Sequence, residues 1–222
     1  LTNQQMNDIS SRYGNGQLFP IAHSCEVKDS IPDFETRDRF RIVSMARYSP
    51  EKNHHLAIAA FAKVVKKYPQ ARLDFYGFAV AGSSLLSDLK AQVESLGLQN
   101  HIGLNDWTDA PASHYLRAGL SLLTSQAEAY SLAIMESLCH ACPAIAFDVP
   151  YGPSYLIVHG ETGLLAPFGD TEALAEQIIS VFDDNEFHKR MSGKAFALAN
   201  RFSHAEAARH WRQLFSAVGV LS

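Results

Sequence analysis

The sequence predicts an α/β fold, organised as a doubly wound parallel sheet of six strands. From about residue 38 onward, short apolar runs alternate with longer amphipathic stretches, which is typical of repeated strand–helix–strand units. Glycine and polar residues follow several of these runs, at the strand ends where such sheets bind ligands. Apolar residues make up 47% of the 222 residues, so the chain can bury a sizeable core.

Six short apolar runs predict the strands. The first contains the β-branched residues Ile42 and Val43, the second ends in Gly77, and the fifth begins with Pro143, where a strand tolerates proline. The predicted strands are 40–46, 72–77, 101–104, 120–123, 143–148 and 163–166. Helices between consecutive strands imply parallel pairing with right-handed crossovers.

Amphipathic stretches between and after these runs predict helices. In the first of them, Leu56, Ile58 and Phe61 fall on one side at helical spacing. Gly97 closes the second, and Asp170 or Thr171 caps the start of the sixth. The predicted helices are 54–68, 83–96, 112–118, 131–139, 154–158, 170–182, 186–202 and 204–218.

The chain divides into three predicted parts. Residues 1–37 form a lead-in, with a short polar helix at 3–12, a strand at 17–22 and a charged, turn-rich stretch. Residues 38–202 form the sheet domain, and residues 203–222 form a last helix. Its apolar stripe includes Trp211, for which packing is the default expectation and a docking face is the alternative. Because the chain begins with Leu1, we expect it to be a piece of a longer protein.

Composition argues against several classes of partner. A net charge of −4 without any Lys/Arg-rich run argues against nucleic acid. No signal peptide is visible, and no apolar stretch is long enough to predict a membrane span. Three cysteines in no framework spacing suit a reducing compartment. Cys139 and Cys142 form a C-x-x-C pair, but tetrahedral zinc needs further ligands, so close packing explains them better. The sequence contains no Asp-x-Asp motif, so it does not indicate metal dependence.

Two carboxylates frame the turn after the fourth predicted strand. Glu128 lies in the turn, and Glu136 lies within the helix that follows. A strand, a short turn and a helix together aim free backbone N–H groups at an anion. On so apolar a helix, Glu136 must either face water or meet a hydrogen-bonding partner. The spacing of Ser125 and Glu128 also fits a capping box, so a structural role for Glu128 stays open.

Two cations follow the first predicted strand. Arg47 and Lys52 can neutralise a diphosphate, since arginine offers a planar fork of donors and lysine a point charge. Plain surface charge is the alternative for each. Two further side chains have similarly open interpretations: His23 belongs either to a linker or to a ligand cleft, and Trp107 either stacks on a base or packs at the rim of the core.

Three motifs in this order resemble the retaining GT-B glycosyltransferases of the family called glycosyl transferase group 1. The first is A-R-Y-S-P-E-K at 46–52, which resembles the family's G-R-L-x-x-E-K. The second is E-A-Y-S at 128–131 with a further glutamate at 136, which resembles its E-x7-E element. The third comprises D-V-P-Y-G-P-S at 148–154 and H-G-E-T-G-L-L-A-P-F-G-D at 159–170. Alanine replaces the usual glycine at positions 46 and 129.

The resemblance implies the Rossmann-like C-terminal half of a GT-B fold, which binds the donor. It implies that Arg47 and Lys52 bind the donor diphosphate, that Glu136 takes the ribose hydroxyls, and that Glu128 is the catalytic carboxylate beside the sugar, acting by hydroxyl recognition and transition-state electrostatics. Residues at strand ends and at the start of the helix complete the predicted donor site: Gly77, Ala129, Tyr130, Ser131 and Leu132.

The resemblance also implies an activity for the longer protein. It would move a hexose or N-acetylhexosamine from a nucleoside-diphosphate sugar, UDP-glucose or UDP-N-acetylglucosamine, to a glycan, teichoic acid or protein acceptor. No cofactor besides the donor is expected. The missing N-terminal domain is the expected partner, and the last helix, 203–222, is expected to cross back towards it. The expected location is the bacterial cytoplasm or the inner membrane face. The Y-G-P-S sequence at 151–154 looks like the branch that glycosylates poly(glycerol-phosphate) chains or serine-rich proteins in Gram-positive bacteria. The alternatives are a non-catalytic GT-B partner subunit and an epimerase-like or phosphorylase enzyme of similar fold.

Overall fold

The six predicted strands form one parallel sheet. A computed structural model describes residues 3–13, 19, 21, 23–27 and 30–220. The strand order is β3-β2-β1-β4-β5-β6, which confirms the doubly wound, Rossmann-like prediction. The strands are β1 (Asp38–Met45), β2 (Arg72–Tyr76), β3 (Ile102–Asn105), β4 (Ala118–Leu123), β5 (Ala144–Asp148) and β6 (Gly163–Pro167). The predicted strand at 17–22 lies largely outside the described residues.

Helices cover both faces of the sheet and continue beyond it. They are α1 (Asn3–Tyr13), α2 (His54–Lys67), α3 (Leu85–Ser95), α4 (Pro111–Arg117), α5 (Leu132–Cys139), α6 (Pro153–Leu156), α7 (Thr171–Asp183), α8 (Asn185–Ala199) and α9 (His204–Ala217). One core, containing Phe61 and Ile178, joins α2, α3 and α7 to the sheet. A second, containing Ile134 and Ala195, joins α5, α6 and α8. No helix among the described residues is long and apolar enough to span a membrane.

The winding direction of the sheet changes between β1 and β4, and the loops that follow these two strands lie side by side. The Gln126 N–H donates to the Glu51 carbonyl at 2.9 Å, and the Thr124 hydroxyl donates to the Lys52 carbonyl at 2.8 Å. These bonds join segments more than 70 residues apart. In doubly wound sheets this is the position of the ligand crevice.

The lead-in is tied to the C-terminal part of the chain. The Cys25 N–H donates to the Phe202 carbonyl at 2.9 Å, and a disulfide joins Cys25 to Cys139 at the end of α5. The cysteine count suggested a reducing compartment, in which the thiols would stay unpaired. The structure instead pairs two of the three cysteines, since an odd count still allows one bridge. Cys142 is buried as a free thiol, and burial raises its pKa to about 12.

The stripe on α9 is not packed within the described part of the chain. Trp211 stacks on Phe215 with ring centroids 5.7 Å apart, and both side chains are exposed. The default expectation of packing for Trp211 is therefore not met among the described residues, and the docking-face alternative is the interpretation that this exposure fits. An amphipathic helix forms such a stripe by its spacing alone, whether or not a partner element is present.

Candidate functional site

The loop after β1 carries both predicted diphosphate ligands, and each has a carboxylate partner. Lys52 Nζ lies 2.7 Å from Glu128 Oε1, and the two side chains are only 18% and 11% exposed. Arg47 Nη2 lies 3.4 Å from Glu51 Oε1, in an exposed pair. Lys52 and Glu128 come together because their loops are neighbours at the crevice. The first pair is the more tightly held, since solvent screens it less.

The turn after β4 delivers backbone donors to the same place. Ser131 adopts a left-handed conformation (φ 66°) just before α5 begins at Leu132. The first N–H groups of a helix have no acceptor within it, so they remain available to an anion. The capping box considered for Ser125 and Glu128 is wrong, because α5 begins four residues after Glu128. The Glu128 carboxylate binds Lys52 instead.

Glu136 lies one turn into α5 and faces a cavity of about 460 Å³, which we call the Trp107 cavity. Arg47 and Gly77 line the same cavity. The Glu136 side chain is half-buried, and this burial raises its pKa above the usual value. Glu136 therefore lies in the wall of a cavity rather than on the fully exposed side of the helix. The carboxylate meets a space in which a ligand could donate hydrogen bonds to it.

Two aromatic side chains form the outer wall of the Trp107 cavity. Phe78 and Trp107 stack with ring centroids 5.4 Å apart and planes 9° apart, and each is 56% exposed. They follow β2 and β3, neighbouring strands whose carboxyl ends meet at one edge. Exposed stacked rings offer a flat apolar surface to a planar ligand. The sequence left the role of Trp107 open and gave no reason to select Phe78.

A second cavity of about 350 Å³ adjoins the first, and we call it the Lys52 cavity. Lys52, Glu128 and residues 129–133 line it, and Met45 lines both cavities. His23, which the sequence assigned either to a linker or to a cleft, also lines the Lys52 cavity. Its ring centroid lies 5.6 Å from that of the buried Tyr130.

All nine predicted site residues therefore line one of two adjoining cavities. Those of the Trp107 cavity are Arg47, Gly77 and Glu136; those of the Lys52 cavity are Lys52, Glu128, Ala129, Tyr130, Ser131 and Leu132. Within the described ranges, no group of three or more His, Cys, Asp or Glu side chains could hold a metal ion. Two cations, free helix N–H groups and a half-buried carboxylate suit a ligand that carries both an anion and hydroxyl groups.

Two glycines allow the loops of the site to approach closely. A Cβ atom on Gly77 would collide with the Ala46 carbonyl oxygen, beside Arg47. A Cβ atom on Gly152 would lie 2.5 Å from the Glu128 Cβ atom. Each glycine thus permits a backbone approach that any side chain would obstruct. Gly77 supports the Arg47 loop and Gly152 supports Glu128.

The family follows from a sequence comparison. Residues 28–197 match the family model described as glycosyl transferases group 1. The chain belongs to this family. Because the match covers more than half of the chain and includes all nine predicted site residues, it confirms the family resemblance carried by the three motifs.

Individual relatives agree with the family. The poly(glycerol-phosphate) alpha-glucosyltransferase of Bacillus subtilis is 32% identical over 95% of this chain and 31% of its own length. A Staphylococcus aureus TarM mutant, solved with Fondaparinux, alpha-GlcNAc-glycerol and UDP, has a TM-score of 0.86 and 24% identity over 97% of this chain and 43% of its own. HepE of Anabaena, solved with UDP-glucose, has a TM-score of 0.73 and 26% identity over 83% of this chain and 50% of its own. The chain thus spans half or less of each relative.

Proposed function

We propose that this chain is the donor-binding half of a retaining glycosyltransferase. The longer protein would transfer a hexose or N-acetylhexosamine from a UDP-sugar. The observation that carries the proposal is the pair of adjoining cavities: Lys52 and the start of α5 line one of them, and Arg47 and Glu136 line the other. Their chemistry fits the parts of a nucleoside-diphosphate sugar in order.

The diphosphate belongs at the junction of the cavities. Arg47 and Lys52 supply two positive charges there, and the N–H groups after Ser131 supply uncharged donors. Charge-assisted hydrogen bonds of this kind are stronger than neutral ones. The dipole of α5 adds to them by favouring negative charge at its N-terminus.

The nucleoside belongs in the Trp107 cavity. A carboxylate can accept hydrogen bonds from both hydroxyls of a ribose, so Glu136 is assigned to that diol. The stacked rings of Phe78 and Trp107 line the same cavity and suit a planar base. The reported UDP-glucose complex of HepE is consistent with a uridine nucleotide.

The transferred sugar belongs in the Lys52 cavity. Glu128 lies there at the end of the diphosphate site and is assigned to sugar hydroxyls and to charge that develops in the transition state. The remaining length of the relatives supports a second, acceptor-binding half that this chain does not contain. The name of the Bacillus relative supports a teichoic acid acceptor of the poly(glycerol-phosphate) type.

Calorimetric titration of the chain with UDP, GDP, UDP-glucose and UDP-N-acetylglucosamine tests this proposal. Arg47→Ala and Glu136→Ala should each weaken binding about tenfold or more, because each removes a charged hydrogen-bonding partner. Arg117→Ala and Glu176→Ala are matched controls at exposed positions away from both cavities. The proposal fails if the folded chain binds none of the four ligands, or if the site variants bind as tightly as the controls.

A further inference from the structure

A third cavity of about 470 Å³ lies outside the proposed donor site. It is formed by α9, by the short segment before α9 and by the turn that contains Tyr130. Its lining includes Arg201, Glu206, Arg209 and Tyr155. We call it the Arg201 cavity. Nothing in the proposed donor site uses these four side chains.

The Arg201 cavity has an excess of positive charge. Arg209 Nε and Nη2 donate to Glu206 Oε2 at 3.0 and 2.7 Å, so this cation already has a carboxylate partner. Arg201 has no salt bridge with any residue that the structure describes. One guanidinium group is thus left uncompensated, in a chain whose net charge is −4. Guanidinium groups bind phosphate and carboxylate through paired donors.

Two polar atoms of the cavity's residues are buried, and no partner for them exists among the described residues. One is the hydroxyl oxygen of Tyr130, a side chain only 6% exposed. The other is His210 Nδ1. Because Arg209 Nη2 donates to His210 Nε2 at 3.0 Å, the ring hydrogen of a neutral His210 is on Nδ1. Both groups can therefore donate a hydrogen bond to a ligand oxygen.

Tyr130 connects the Arg201 cavity to the donor site. Its side chain lines both the Arg201 cavity and the Lys52 cavity. The ring contacts two others: its centroid lies 5.6 Å from that of His23 and 5.9 Å from that of Tyr155. Burial raises the pKa of Tyr130 to about 12, an effect that Tyr155 increases and Arg201 reduces, so the hydroxyl keeps its hydrogen. A single ring thus separates a cationic cavity from the place proposed for the sugar.

We propose that the Arg201 cavity binds a phosphodiester of a polyol-phosphate acceptor while a neighbouring hydroxyl of that acceptor reaches the donor sugar. This inference rests on the proposed function. In 1,3-linked poly(glycerol-phosphate) the free hydroxyl of each repeat lies on the carbon next to both phosphodiester carbons, so a cationic subsite beside the sugar cavity matches this repeat. An uncharged glycan carries no anionic group that could pair with the guanidinium group of Arg201.

Binding of a synthetic glycerol-phosphate tetramer to the 222-residue chain tests the inference. Calorimetry would compare the tetramer with inorganic phosphate at equal phosphate concentration and with uncharged maltotetraose. Arg201→Gln and Arg209→Gln should each weaken tetramer binding about tenfold, which corresponds to about 1.4 kcal/mol. Arg212→Gln is the matched control, since it removes a cation from the exposed surface of α9 outside the cavity. Circular dichroism would establish that each variant is folded.

The outcomes separate this inference from the donor proposal. Weaker tetramer binding in Arg201→Gln and Arg209→Gln but not in Arg212→Gln would support it. Absence of tetramer binding, or equal binding by all three variants, would overturn it. Inorganic phosphate binding as tightly as the tetramer would also overturn it, because the cavity would then hold any small anion. Titration of the unchanged chain with UDP reports on the donor site independently.

Discussion

Replacing Glu128 by Gln should tighten the binding of UDP to this chain. Lys52 Nζ lies 2.7 Å from Glu128 Oε1, so an incoming diphosphate must compete with a carboxylate for the lysine. At that distance, and with an effective dielectric constant of about 20, the attraction is about 6 kcal/mol. Desolvation of the two ions offsets most of this value. A residual of about 1–2 kcal/mol then opposes transfer of Lys52 to the ligand.

Glutamine keeps an oxygen acceptor of the same shape but removes the charge. UDP should therefore bind to Glu128→Gln about tenfold more tightly, since about 1.4 kcal/mol corresponds to a factor of ten. The same substitution should lower the free energy of unfolding by about 1–2 kcal/mol, because Lys52 loses its charged partner in a mostly buried site. Calorimetry at constant ionic strength measures the first quantity, and urea unfolding measures the second.

Glu51→Gln is the matched control for this experiment. Glu51 is the partner of the other proposed diphosphate ligand, but the pair with Arg47 is longer, at 3.4 Å, and its side chains are 37% and 64% exposed. Solvent screening leaves such pairs with at most about 1 kcal/mol, so UDP affinity should change less than about fivefold. Unchanged or weaker UDP binding in Glu128→Gln would refute the competition argument, and an equal gain in both variants would assign the effect to overall charge.

Three other properties of the chain can be predicted. Burial lowers the pKa values of His54 and His188 from 6.5 to about 4, so their contribution to stability is complete above pH 6.5 and is lost as the pH falls towards 4. Urea unfolding between pH 7.5 and 4.5 should show a loss of up to about 3 kcal/mol in the free energy of unfolding per histidine. His188→Gln should remove about half of this pH dependence. Gly77→Ala should destabilise the chain by about 2 kcal/mol or more and weaken UDP binding, because the new methyl group collides with the Ala46 carbonyl. Thermal unfolding would measure the first effect and calorimetry the second. A melting temperature equal to that of the unchanged chain would contradict the clash. With the disulfide formed and Cys142 fully buried, Ellman's reagent should detect no thiol in the native chain and one thiol after denaturation. Reduction of the denatured chain should raise the count to three. Three thiols in the denatured, unreduced chain would exclude the bridge.

Most of the fold could be predicted from the sequence because strands and helices differ in apolar period. All six predicted strands occur in the sheet, with ends shifted by a few residues. The start of β4 was missed because Ala118 and Gly119 resemble the end of a helix when considered alone. In the sheet Ala118 pairs with Asp38, and a Cβ on Gly119 would collide with the Arg39 backbone. Tertiary pairing, rather than local preference, decides where that strand begins.

The site could be predicted only as far as motifs extend along the chain. The resemblance of the motifs to the family selected Arg47, Lys52, Glu128 and Glu136, and the structure brings all four to adjoining cavities. The Lys52–Glu128 pair spans 76 residues, so no local pattern could reveal it. The stacking of Phe78 on Trp107 depends on the order of β2 and β3 at the edge of the sheet. Such contacts follow from the order of the strands in the sheet. The motifs imply that order, but they do not specify which side chains meet.

The Lys52–Glu128 pair also suggests how the site would distinguish an intact donor from free UDP. When a diphosphate takes Lys52, Glu128 loses its cation and becomes an unpaired, mostly buried carboxylate, which is unfavourable. UDP alone leaves it in that state, whereas the hydroxyls of a UDP-sugar would give it new hydrogen bonds. Glu128→Gln should therefore increase the affinity for UDP more than it increases the affinity for UDP-glucose. The carboxylate that pairs with Lys52 would thus make binding selective for a donor that still carries its sugar.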